Sequence, residues 1–142
     1  MVQKCIMGSS PIGGGTATVL MDTKNVASDG TVLSLTDDIT NYNCIEIQTA
    51  WYAVSEAGDH PCHISSHFIS KDAIKTAMDN YVGGTTYVQG GIDISRWAND
   101  SFAMFWVLQV NPSNKNQIIA AKKTVKTWAA NTCYIWKIIG YK

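Results

Sequence analysis

From Thr16 onward, apolar and polar residues alternate in short runs separated by Gly, Pro, Asn and Asp. A period of two is the pattern of strands whose successive side chains face opposite sides of a sheet. Residues 16–21 and 31–35 are the first such runs and are rich in β-branched residues. Residues 42–54 form a long run with Cys44, Glu46, Gln48 and Ala50 on one face and Ile45, Ile47, Thr49 and Trp51 on the other. Ile45 and Ile47 are expected to face the core. Residues 63–70 resume the pattern, and residues 87–94 follow, with Gly90 and Gly91 as a candidate bulge. Residues 101–110 are apolar on both faces, as in a central strand covered on both sides. Residues 117–128 and 132–141 end the chain as a hairpin, the last of them rich in aromatics.

Only residues 71–79 read as helix. Ile74, Ala77 and Met78 fall on one helical face, Ser70 stands in the N-cap position, and Asp72 suits the positive end of the dipole. Eight short strands, one two-turn helix and no strand–helix–strand rhythm predict an all-β fold. The expected architecture is an antiparallel β-sandwich, jelly-roll-like, with one short helix. Residues 8–15 hold Gly, Ser and Pro and read as a linker. The expected organisation is an N-terminal strand and linker over 1–15, then one sandwich domain over 16–142.

Composition narrows the partners. The 142 residues are 46% hydrophobic but only 15% charged, and the formal net charge is zero. The polar surface therefore rests largely on Ser, Thr, Asn and Gln, which favours a chain that hides surface in an oligomer or works outside the crowded cytosol. Nucleic acid is not expected as a partner, because the basic residues cluster only at Lys122, Lys123 and Lys126. These lysines read as a solvated strand edge or rim. No apolar run reaches the ~18 residues of a membrane span and no secretory signal is visible, so neither membrane insertion nor conventional secretion is expected. Cys5, Cys44, Cys62 and Cys133 are widely and irregularly spaced, without a paired motif. They read as reduced, structural thiols of a chain folded in a reducing cytoplasm.

Candidate chemistry is sparse. There is no Gly-x-Ser-x-Gly elbow, and Gly13–Gly15 lack the Lys-Ser/Thr of a phosphate loop. The adjacent Asp37 and Asp38 sit where Asp ordinarily breaks a strand. No catalysis and no cofactor are expected. His60, His63 and His67 gather with Asp59 and Cys62, yet His63 and His67 on one strand stand ~13 Å apart, too far to share an ion within one chain. The expectation is a surface loop without metal. The aromatics carry more weight. Trp106 and Trp136 lie in alternating apolar runs and read as core. Trp51, Tyr52, Tyr81, Tyr87 and Trp97 lie near strand ends or loops and are the candidate ligand contacts. Exposed rings stack on the apolar face of a sugar, with Asn, Asp and Gln supplying hydrogen bonds. Packing under loops or at a subunit interface is the competing role.

Two segments carry a family resemblance. The early one is residues 33–47, through Leu35, Ile39, Tyr42, Ile45 and Ile47; the late one is residues 131–142, through Ile135, Ile138 and Gly140. Together they resemble the C-terminal receptor-binding (tip) domains of bacteriophage tail fibres and minor tail proteins, over roughly residues 17–142. The resemblance implies a homotrimer at the fibre tip of the virion, folded in the host cytoplasm. It implies attachment to a bacterial surface glycan or outer-surface protein, without catalysis. The matching positions are framework residues and place no binding site. The histidine-rich loop and the Gly-Gly pairs depart from the pattern and leave the ligand open. The alternative is a monomeric carbohydrate-binding module of an enzyme or cell-wall protein; a small enzyme or an intramolecular chaperone of a longer fibre is a third reading.

Overall fold

A computed structural model describes residues 15–25, 27–51, 64–83, 91–99, 102–125 and 133–142. Its elements in chain order are β1 (Ala17–Asn25), β2 (Thr31–Ser34), β3 (Cys44–Trp51), β4 (Ser65–Ser70), α1 (Lys71–Asp79), β5 (Ile92–Asn99), β6 (Phe102–Gln109), β7 (Gln117–Val125) and β8 (Cys133–Tyr141). They form two antiparallel four-stranded sheets, ordered β1-β8-β3-β4 and β2-β7-β6-β5. The fold is an all-β sandwich with one short helix. The outer winding is that of a jelly roll, with β1 against β8 in the first sheet and β2 against β7 in the second. The inner strands instead pair as neighbours in sequence, β3 with β4 and β5 with β6.

The alternating pattern is what closes the two layers. Leu20, Ile45, Ile47 and Ile138 of the first sheet meet Leu33, Trp106, Leu108 and Ile118 of the second in one buried cluster. Trp106 is fully buried, and its indole N–H donates to the Ala27 carbonyl at 3.1 Å, which ties the β1–β2 turn to the core. Trp136 is not part of that core. The register between β3 and β8 shifts at Gln48/Thr49, so Lys137 and Ile135 are consecutive partners and Trp136 is the extra residue of a bulge. A bulge breaks the inward–outward alternation, and the ring stays partly exposed.

The helix is as predicted. Ser70 Oγ accepts from Ala73 N at 3.2 Å, and Ile74 and Ala77 are buried. Starting where β4 ends and packing also against β5, α1 bridges the edge strands of the two sheets. Several boundaries differ from the sequence reading, among them β1, which runs to Asn25, past the expected end at residue 21. The third strand starts at Cys44, because Asp38 caps a one-turn 3₁₀ helix (Ile39–Asn41) by accepting from Thr40 N at 2.8 Å. β5 runs to Asn99, past the expected end at residue 94, because its polar half pairs with β6. Gly91 precedes β5 and therefore marks no bulge within it.

β2 pairs only with Gln117–Ala120 of β7, so Lys122 and Lys123 have β6 on one side and no described strand on the other. Lys126 lies outside the described residues. Among those residues, no helix is long and apolar enough to cross a membrane.

Cys44 corrects the expectation of free thiols: it is fully buried and disulfide-bonded. Irregular cysteine spacing carries no information about pairing, which the folded topology sets. Cys133 is not its partner. Cys44 stands opposite Tyr141, whereas Cys133 stands opposite Trp51, about 23 Å further along the ladder. A disulfide needs Cα atoms within ~7 Å.

Candidate functional site

The topology separates the aromatics that the sequence singles out. Trp51 ends β3 opposite Cys133, at the start of β8. Trp97 sits opposite Ala103, near the β5–β6 turn, and so belongs within a strand. Both backbones lie at the end of the sandwich from which β8 starts. Tyr81 follows α1 at the opposite end, partly buried, with its N–H donating to the Met78 carbonyl at 3.2 Å. Strands of eight residues put roughly 26 Å between the two ends. Trp51 and Tyr81 therefore share no single pocket in one chain. Tyr52 and Tyr87 lie outside the described residues, as do His60 and His63. His67 Nε2 is 3.1 Å from Thr49 Oγ1, a hydrogen bond across the β3–β4 pair. Among the described residues no three His, Cys, Asp or Glu side chains converge on a point.

One polar arrangement was missed by sequence reading. It lies on the face of the first sheet that points away from the core. There Glu46 stands opposite Phe68 on β4 and opposite Ile139 on β8, with Gln48 and Ser66 as the next pair along. Glu46 Oε1 accepts from Ser66 Oγ at 2.6 Å and from Gln48 Nε2 at 2.8 Å; Oε2 accepts from the Tyr141 hydroxyl at 2.5 Å. The Phe68 and Tyr141 rings are tilted by 40° with centroids 6.5 Å apart. Glu46 is only 6% exposed, whereas Phe68 beside it is 41% exposed.

Electrostatics fix the protonation states. Burial pushes the Glu46 carboxyl up, but the hydrogen bonds from Ser66, Tyr141 and Gln48 outweigh it and hold the group below its usual value. Burial, together with the hydrogen bond to Glu46, pushes the Tyr141 phenol up to about 12. At neutral pH the pair is thus carboxylate and phenol. A general acid or base works best with a pKa near the operating pH, and neither group has one. The arrangement is suited to hold hydrogen bonds rather than to move protons. Lys137, on the same face, lies 3.7 Å from Asp22 Oδ2.

One signal for this site was present in the sequence: Glu46 alternates with Ile45 and Ile47 and so faces away from the core. No such signal marks Phe68, an aromatic residue in a run that also holds Ile69. Compared with known proteins, the chain matches no protein-family model and no curated sequence.

Proposed function

We propose that this chain is a receptor-binding tip domain of a bacteriophage tail fibre, a non-catalytic module that attaches the virion to the bacterial surface. The observation that supports the reading is the way its two resembling segments meet. β3 and β8 pair along their length, the Asn43 N–H donates to the Tyr141 carbonyl at 2.8 Å, and the Tyr42 ring packs on Gly140. Residues scattered over a hundred positions thus form one framework, which is what a shared family pattern would preserve.

The receptor is a surface glycan or an outer-surface protein, and the working form is a homotrimer. Each contact is weak, and many copies on a particle raise the avidity. Sedimentation and adhesion test the proposal together. The expected result is a mass of three chains at micromolar concentration and adhesion to cells of a susceptible bacterium. A monomer that binds polysaccharide would instead favour a carbohydrate-binding module, and a chain that adheres to no bacterial surface would end the attachment reading.

A further inference from the structure

We propose that the outer face of the first sheet at Phe68, Ser66 and Gln48 binds a single neutral hexopyranose of a bacterial surface polysaccharide. This rests on the attachment reading and gives it a place and a ligand class. Phe68 and Ser66 are two residues apart on β4, so their side chains leave the same face, and Gln48 and Glu46 stand opposite them on β3. The four side chains frame a patch of about 5 by 7 Å, the footprint of one pyranose ring. Phe68 supplies an exposed apolar platform for the C–H face of the sugar.

Polar groups lie beside the platform. Ser66 is an exposed residue, and Gln48 is partly buried. Gln48 donates through Nε2 to Glu46, and its Oε1 takes no hydrogen bond from any described residue. That oxygen is an acceptor for a sugar hydroxyl. Glu46 orients both groups from beneath, through Ser66 Oγ and Gln48 Nε2 on the same carboxylate oxygen. β4 is the edge of its sheet, so no described strand flanks the patch on that side.

Charge selects among sugars. The carboxylate of Glu46 is fixed under the patch, and the single ammonium of Lys137, opposite Gln48 on β8, is shared between Glu46 and Asp22, two carboxylates to one cation. Uronic and sialic acids would bring a second negative charge against Glu46 in a partly desolvated setting, where repulsion is strong. Neutral hexoses carry only hydroxyls and meet no such penalty.

The test uses the full chain, calorimetric titration and four probes: mannan, galactan, dextran and polygalacturonate. The expected result is binding of at least one neutral polysaccharide and none of polygalacturonate. Phe68→Ala should weaken that binding at least tenfold, Gln48→Ala several-fold, and Phe68→Tyr, which keeps the ring, less than threefold. Circular dichroism checks the fold; should Phe68→Ala unfold, Phe68→Leu keeps the bulk without the aromatic face and carries the test. The inference is overturned if no neutral polysaccharide binds, if polygalacturonate binds better, or if the Phe68 variants bind as the parent does. In each of those outcomes, continued adhesion of the parent chain to bacterial cells leaves the attachment reading standing, and loss of adhesion removes it as well.

Discussion

The Tyr42 ring packs directly on Gly140: a Cβ added to that glycine would lie 2.4 Å from Tyr42 Cδ1 and 2.6 Å from Cγ. The ring is buried and its hydroxyl donates to Asp37 Oδ2 at 2.8 Å, so it has no room to retreat. Gly140→Ala should therefore destabilise the domain by about 1–3 kcal/mol through overpacking. Tyr42→Phe, which removes only the hydrogen bond, should cost about 1 kcal/mol. Urea unfolding of both variants checks the order. An alanine at 140 that leaves the midpoint unchanged would show that the ring is not held there.

Glu46 makes stability depend on acid. Its carboxyl titrates below the usual value in the folded chain, so the stability it confers is present above the unfolded pKa of about 4.3. That stability is lost as pH falls through the folded value. Tyr141 acts in the opposite sense. Its pKa rises to about 12, so its contribution is present below the unfolded value of about 10 and disappears as pH climbs toward the folded one. Melting temperatures across pH should show both losses in the parent. Tyr141→Phe should flatten the alkaline limb, and Glu46→Gln should flatten the acid limb.

Gln109 is 2% exposed, and neither of its amide atoms has a hydrogen-bond partner among the described residues. A buried amide left unpaired costs about 1–3 kcal/mol. Gln109→Met, similar in volume and without the polar atoms, should raise stability by about 1 kcal/mol. A lower denaturation midpoint for this variant would mean that the amide is satisfied in solution.

The Ser70 cap holds α1 at its junction with β4. Ser70→Ala should cost about 1 kcal/mol, read as a lower melting temperature. Ser70→Asp, which retains an acceptor for Ala73 N, should restore most of it. A null effect would place the stability of α1 wholly in the packing of Ile74 and Ala77.

Cys44 offers a covalent check. Peptide mapping without reduction should find Cys44 in a disulfide with a cysteine other than Cys133, and Cys44→Ser should cost about 2–5 kcal/mol. Recovery of Cys44 as an alkylated free thiol would contradict the bond. A confirmed bond also bears on where the chain matures, since such links persist in oxidising surroundings.

Local structure was legible because it depends on local pattern. The alternation around Ile45 and Ile47 placed the core face of β3, and the spacing of Ile74, Ala77 and Met78 placed α1. What the pattern missed was non-local. The bulge that expels Trp136 from the core arises from a register shift between strands far apart in sequence. The disulfide at Cys44 and the pairing of β5 beyond residue 94 have the same origin. The candidate site was hidden for a related reason. Whether Phe68 is covered depends on what crosses the outer face of its sheet, and a strand's own sequence does not record that.

The position of β8 between β1 and β3 has a bearing on assembly. Neither β1 nor β3 can complete its ladder in the first sheet until β8 joins them. Closing a pairing between Ala17 and Tyr141 spans nearly the whole domain, and such long-range closure is slow. The first sheet is thus expected to close late in folding, and removal of β8 would take the keystone out of the layer.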